Sequence, residues 1–242
     1  MGITQPLVRK YRPQQIQDFI GLDNVKRVLL SFAAKPYPSN WLFRGPSGIG
    51  KTSMALALAR ALGLDADDVI TRNASTCDVE FAKRILRDVE YVRPSWKPGR
   101  WDFYLIDEAD QMTEAAYQVF LTILDPPGPI WPYGIFVFTA NSPEKIETVD
   151  DDDVKHEVIH DKLEPKFRSR CRQLEFQSQG MGVKIPSLLS RLWSLEAPPG
   201  ATPPNFKQLA TYAHGNVRDA VQDLETRILD CEYGVQTASR TA

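Results

Sequence analysis

Residues Gly45 to Thr52 read Gly-Pro-Ser-Gly-Ile-Gly-Lys-Thr, a complete GxxxxGK[ST] pattern. Such a stretch carries the parts a triphosphate needs: backbone N–H groups that wrap the phosphates, a lysine that neutralises them and a hydroxyl for magnesium. Farther along, the apolar run Phe103-Tyr104-Leu105-Ile106 ends in two carboxylates, Asp107 and Glu108. An isolated Asp-Glu pair reads as a solvated loop. Coupled to the phosphate-binding stretch, it predicts hydrolysis. Asp107 then emerges at the C-terminal edge of a sheet, where it holds Mg²⁺ through water, and Glu108 polarises the attacking water. Lys51 is expected to bridge the β- and γ-phosphates and Thr52 to ligate Mg²⁺, while Gly45, Gly48 and Gly50 let the backbone approach without a Cβ in the way. Pro46, Ser47, Ile49 and Ser53 complete the nucleotide-binding set. These residues predict an NTP-binding chain and an ATPase.

Positioning them requires a parallel sheet covered by helices, and short apolar runs alternating with helical periods predict one. Strands are expected at Asn40 to Arg44, Val69 to Asn73, Trp101 to Ile106, Ile135 to Thr139 and Cys171 to Phe176. Met54, Leu58, Ala61 and Leu62 repeat at helical spacing after Lys51-Thr52, with Gly63 as a C-cap. A second helix is predicted by Ala82, Ile85, Leu86 and Val89, and a third by Tyr117, Phe120, Leu121 and Leu124, stopped by Pro126-Pro127. Three helical stripes close the chain: Leu188, Leu189, Leu192 and Leu195; Phe206, Leu209, Ala210 and Ala213; and Val217, Val221, Leu224 and Ile228. The expected organisation is an α/β nucleotide-binding core over 1–178, an all-helical lid over 179–232 and a loose tail over 233–242.

Composition narrows the class. The chain has 242 residues, 43% of them hydrophobic, and a net charge of −2, so it can bury a core but has no global basic field for nucleic acid. Three separated cysteines, Cys77, Cys171 and Cys231, indicate neither a zinc site nor a disulfide framework. No N-terminal apolar leader or long apolar span is present, which predicts a protein of the cytoplasm or an equivalent compartment.

The motif set resembles AAA+ ATPases, and within them the clamp-loader group that includes replication factor C small subunits and the bacterial polymerase III tau/gamma and delta-prime subunits. Lys10-Tyr11-Arg12-Pro13, followed by Phe19-Ile20-Gly21, looks like that group's N-terminal signature beside the adenine, which implies nucleotide contacts for Val8, Arg12 and Ile20. Asp107-Glu108-Ala109-Asp110 matches its Walker B, and Asn141 matches sensor 1. Ser169-Arg170-Cys171 matches the motif whose arginine reaches a neighbouring subunit's nucleotide. Gly215-Asn216-Val217-Arg218-Asp219-Ala220 looks like the sensor 2 motif of a helical lid. The resemblance implies a five-stranded P-loop AAA+ core, ATP and Mg²⁺ as cofactors, catalytic contributions from Glu108, Asn141, Arg170 and Arg218, and other AAA+ subunits as partners. A sliding clamp or another DNA-associated protein is the implied target.

The residues alone leave several alternatives open. Asn141 also reads as an Asx-turn into Ser142-Pro143. Arg218, one turn into a helix that Asn216 can cap, also reads as a surface pair with Asp219 or Asp223. Lys166, Arg168, Arg170 and Arg172 alternate along an expected extended segment that would put all four on one face, so Arg168 rivals Arg170 as the finger. Lys83, Arg84 and Arg87 share the polar side of the second helix, where clamp loaders present basic groups to DNA, yet such a cluster equally makes a solvated face. The third helix departs from the family in carrying no lysine or arginine. Glu144 to Glu164, with Asp150 to Asp153, reads as a flexible acidic loop, and His156 and His160 lack the further ligands a metal needs. The chain stops shortly after the lid, where clamp loaders continue into a collar domain, so it reads as either a minimal subunit or a shortened one. The resulting expectation is a clamp-loader-like ATPase working in an oligomer. Its alternatives are a loader for helicase or transposition and a nucleotide-gated scaffold with little turnover.

Overall fold

The computed structural model describes residues 3–90, 101–125, 133–149 and 155–233. Its strands are β1 (Ser39–Arg44), β2 (Val69–Asn73), β3 (Asp102–Asp107), β4 (Gly134–Ala140), β5 (Glu144–Val149), β6 (Lys155–His160) and β7 (Arg172–Glu175). Five of them form one parallel sheet in the order β2-β3-β4-β1-β7. Buried on both faces, such strands are near-continuously apolar, and all of β4 is buried.

Successive side chains point to opposite faces, and this divides the core in two. Trp41, Phe43, Phe103, Leu105, Ile135 and Val137 face one cluster. Leu42, Tyr104, Ile106, Phe136 and Phe138 face the other. After the short α1 (Leu7–Lys10), α2 (Asp23–Ala34) and α3 (Lys51–Ala61) cover the first face, and α4 (Val79–Glu90) and α5 (Glu114–Leu124) the second. α3 ends at Leu62 with Gly63 at φ +81°, the left-handed stop expected there. α5 starts on a Thr113 cap and contains no basic residue. The proline pair expected to stop α5 lies outside the described residues.

Beyond β7, α7 (Met181–Glu196), α8 (Phe206–Tyr212) and α9 (Val217–Tyr233) are the expected three helices, and α7 runs through Pro186. Their apolar stripes join the first core cluster through Ile185, Leu189, Leu192, Leu209, Leu224 and Ile228. Leu195 departs from the expected stripe at 60% exposed, because Trp193 takes the buried place one turn after Leu189.

Two local expectations are corrected. The stretch read as a flexible acidic loop contains an antiparallel hairpin, β5 with β6, pairing Glu144 with His160 through Val149 with Lys155. The alternation Lys-Ile-Glu-Thr-Val against His-Glu-Val-Ile-His has the strand period, and the run of aspartates between them in the sequence obscured that signal. Asp150 to Asp153 themselves lie outside the described residues. The basic stretch is not extended either: Pro165 opens a single helical turn, α6 (Pro165–Arg168), that buries Phe167. Turning the chain there sends the four cations to different partners: Lys166 to Glu164, Arg168 to Asp161, Arg170 to Asp125, and Arg172 onto Tyr37 and Trp41.

Candidate functional site

β1 delivers the chain to Gly45 at the C-terminal edge of the sheet, and α3 departs at Lys51, so the glycine-rich stretch bridges a strand and a helix N-terminus. β3 ends beside it at Asp107, and β4 ends at Ala140 just before Asn141. These three strand ends, the N-terminal segment and the lid enclose a cavity of about 1040 Å³. Val8, Arg12 and Ile20 line it from the N-terminal segment, and Ser47, Gly48, Ile49, Gly50, Lys51, Thr52 and Ser53 from the loop. Asp107, Glu108 and Asn141 line it from the strand ends, and Arg218 from α9. Gly45 and Pro46 sit behind the lining, where their carbonyls accept from Lys51 Nζ at 2.6 and 2.9 Å.

Thr52 Oγ1 donates to Asp107 Oδ1 at 2.8 Å. The donor set is hydroxyl and carboxylate oxygen, which suits a hard cation such as Mg²⁺. Thr139 Oγ1 also donates to Asp107 Oδ1, at 2.5 Å, and accepts from the Glu108 N–H at 3.0 Å, so one β4 hydroxyl orients both acidic residues. Glu108 is held at φ +57°, a left-handed conformation that non-glycine residues adopt only where the surroundings enforce it. Its Oε2 accepts from Asn73 Nδ2 at 2.8 Å.

Asn141 has its Oδ1 3.4 Å from Lys51 Nζ and its Nδ2 3.2 Å from Asp110 Oδ2, while its backbone N–H donates to Asp110 Oδ1. Its side chain therefore joins the loop lysine to the acidic segment instead of closing an Asx-turn. Arg218 is bound at its backbone N–H to the Gly48 carbonyl, 3.4 Å away. Asn216 caps the start of α9, accepting from the Asp219 N–H at 3.2 Å, as its position implied. Gly48 lies directly under that cap: with φ +73°, a Cβ there would stand 1.9 Å from Asn216 Oδ1.

Cations crowd the cavity floor. Burial lowers the Lys51 pKa and Arg218 adds repulsion, with Asp107 and Asp110 opposing them. Arg12 is lowered by burial and by nearby Arg60. Arg12 Nε donates to Ser53 Oγ at 2.8 Å, so this residue stands by the phosphate-binding helix. The N-terminal segment is also fastened to the lid. Leu7 N–H donates to Glu225 Oε2 at 2.8 Å, and Lys10 pairs with Glu196 at 2.6 Å. Tyr11 OH donates to the same carboxylate. Burial, then that hydrogen bond, pushes the Tyr11 phenol up to about 12.

Arg170 does not reach this cavity. Its backbone lies at the opposite end of β1, where Asn40 Nδ2 donates to the carbonyls of Arg170 at 3.3 Å and Leu124 at 3.4 Å. From Asn40 to Arg44, the residue before the loop, is about 13 Å of extended strand. Lys83, Arg84 and Arg87 lie on α4 away from the cavity; Lys83 pairs with Glu80 at 3.7 Å and Arg84 lies over the Phe81 ring. Among the described residues no group of three or more His, Cys, Asp or Glu is gathered so as to hold a metal, and no helix is long and apolar enough to cross a membrane.

Asn73, Asp110, Thr139 and Glu196 are the polar groups of the site that motif reading missed. Only Asp110 had a signal, as the last residue of Asp107-Glu108-Ala109-Asp110.

Residues 41–152 match the family described as "ATPase family associated with various cellular activities (AAA)". The replication factor C small subunit of Picrophilus torridus is 32% identical over 171 residues, which is 69% of this chain and 47% of that protein. Replication factor C subunit 2 of Arabidopsis thaliana is 25% identical over 228 residues, 93% of this chain and 62% of that protein. The chain thus spans less than two thirds of the length of these curated relatives. Among solved structures, the Thermotoga maritima RuvB Holliday junction branch migration motor superposes with a TM-score of 0.62 at 20% identity, covering 94% of this chain and 68% of that one. At that identity the likeness is one of fold. With the phosphate loop, the paired carboxylates and the helical lid in place, the chain carries an AAA domain on a P-loop α/β fold and resembles the clamp-loader group of AAA+ ATPases.

Proposed function

We propose that this chain binds ATP·Mg²⁺ between the α/β core and the helical lid and hydrolyses it as one subunit of an oligomer, in a clamp-loader-like step of DNA replication. The observation that carries the reading is the separation just described. Lys51, Thr52, Asp107, Glu108 and Asn141 converge on one cavity, while Arg170 stands a strand length away at the far end of β1. An arginine so placed acts on a neighbour's nucleotide.

Thr52 and Asp107 would hold Mg²⁺, which supplies charge neutralisation of the β- and γ-phosphates. Lys51 turns from the loop carbonyls to the phosphates, and Val8 and Ile20 border the base. Glu108 accepts the proton of the attacking water, with Asn73 setting the orientation of its carboxylate. The water oxygen bonds to the γ-phosphorus as the bond to the β-bridging oxygen breaks, releasing ADP and phosphate. Asn141 and Arg218 hold the γ-phosphate end, and Arg170 from the adjacent subunit stabilises the developing charge, a contribution of roughly 10³ to 10⁵ in rate in comparable systems. Arg168 is the weaker finger because it is committed to its own core. Its Nη1 lies 3.3 Å from Asp161 Oδ2, and Asp161 Oδ1 pairs with the buried Arg44 at 2.9 Å.

The implied target is a sliding clamp or another DNA-associated protein, with primer-template DNA against Lys83, Arg84 and Arg87. The absence of any cation on α5 favours a second reading, a loader for another DNA process such as helicase loading or transposition.

The test is ATP turnover against protein concentration, with and without primed DNA, for the parent chain, Glu108→Gln, Arg170→Ala and their mixture. Turnover that rises with concentration, is lost in each variant and is partly recovered on mixing is the expected result. Full turnover in Arg170→Ala alone would overturn the trans arrangement.

A further inference from the structure

The guanidinium of Arg170 is held at every nitrogen. Nε donates to Asp125 Oδ1 at 3.1 Å, Nη2 to Asp125 Oδ2 at 3.2 Å and Nη1 to the Lys166 carbonyl at 2.6 Å. Arginine has five N–H donors, one on Nε and two on each terminal nitrogen. The three bonds therefore consume the Nε–H and one hydrogen of each terminal nitrogen. Two N–H groups remain, one on Nη1 and one on Nη2, which is the fork that meets a phosphate in bidentate fashion.

We propose that Asp125 is the positioning residue of Arg170, presenting that fork to the nucleotide of an adjacent subunit. The proposal rests on the trans-finger reading above and names what prepares the finger. Asp125 is the residue immediately after α5, and Leu124 and Arg170 are fastened to the same Asn40 amide, so the carboxylate and the arginine keep a common frame. Asp125 is 62% exposed in its side chain and Arg170 26%, and a pair that open to water contributes little to stability. Geometry is what it provides: an unrestrained arginine has many rotamers, and the bidentate carboxylate selects one before a neighbour arrives.

The experiment uses the full chain carrying Asp125→Ala, Asp125→Asn, Arg170→Ala and Asp125→Ala with Arg170→Ala. It reads kcat and KM for ATP in the concentration-dependent regime, together with the affinity for a fluorescent ATP analogue and the melting temperature. Asp125→Ala is expected to lower kcat about tenfold or more, with KM, nucleotide affinity and melting temperature unchanged. Asp125→Asn, which keeps one acceptor, falls between it and the parent. In the Arg170→Ala background the second substitution adds nothing. A rise in kcat for Asp125→Ala would overturn the proposal by making the carboxylate a restraint on the finger. So would an unchanged kcat while Arg170→Ala abolishes turnover, or an equal loss in both backgrounds. Turnover indifferent to Arg170→Ala or to concentration removes the finger reading, and the proposal with it.

Discussion

The two ends of β1 are built on different chemical plans. At its C-terminal end, Arg44 leads into a loop whose groups face one cavity and satisfy one another: Lys51 with the loop carbonyls and Asn141, Thr52 and Thr139 with Asp107, Asn73 with Glu108. At its N-terminal end, Asn40 fastens Arg170 in an open setting, with its partner Asp125 largely in water. A cavity lined by convergent polar groups is organised to receive a ligand. A single cation braced at the surface is organised to be received. On the proposed reading, the chain thus holds one large part and one small part of a reaction centre, at opposite ends of β1.

The sharpest break of that comparison separates binding from turnover. Lys51→Ala is expected to lower ATP affinity at least a hundredfold, measured with a fluorescent analogue, whereas Arg170→Ala leaves affinity within about twofold and removes turnover. Comparable losses of affinity in both variants would mean that the two ends of the strand serve one site.

A smaller effect concerns what holds the ends together. Asp161 pairs with Arg44 at the loop end and with Arg168 of the helical turn before the finger. Arg44 is only 3% exposed, so Asp161→Asn leaves a buried cation without its counter-charge. The cost is about 3 kcal/mol, or a fall in melting temperature on the order of 6–12 °C by calorimetry. Loss of under about 1 kcal/mol would show the pair to be a surface ornament.

The smallest effect is a titration. Tyr11 hydrogen-bonds Glu196 on α7, and burial and that bond raise its pKa to about 12 from an ordinary value near 10. The folded form keeps the proton longer than the unfolded one, so the contribution is complete below pH 10 and disappears as pH rises toward 12. Ultraviolet titration should find two late phenols, Tyr11 and the buried Tyr117, of which Tyr11→Phe removes one and Glu196→Gln shifts that same one earlier. A Tyr11 that ionises near 10 would sever the proposed fastening between the N-terminal segment and the lid.

How much of this could be read from residues alone depended on whether a function is carried locally. Gly45 to Thr52 and Asp107-Glu108 are legible because a short contiguous stretch does each job, and the strand before each has an unmistakable apolar period. The five sheet strands and the three lid helices follow from the same periodicity. α2 escaped, although Val25, Leu29 and Phe32 have helical spacing and Gly21 and Pro36 bracket it, because its N-cap is the left-handed Leu22, which offers no capping side chain. The hairpin escaped because the run Asp150 to Asp153 dominates the composition of that stretch of sequence. Asn73, Thr139 and Glu196 were illegible for a different reason: each is an ordinary polar residue that becomes part of the site only when strand register or lid packing brings it beside a partner far away in the chain. The basic stretch misled through alternation, which counts as a strand signal only where the backbone is extended, and Pro165 had already turned it into a helix.

β1 also acts as a ruler. It lies between β4 and β7, buried from Trp41 to Arg44, with no glycine and no bulge, so it neither bends nor stretches. In an assembly that hands an arginine from each subunit to the next, the distance between successive nucleotides includes this rigid length. Adding one residue to it would not lengthen the spacing by a small step, because it would swap Trp41, Leu42 and Phe43 between the two cores and undo both. The repeat of such an assembly is therefore quantised inside the subunit, and adjustments of ring pitch fall to the surfaces between subunits.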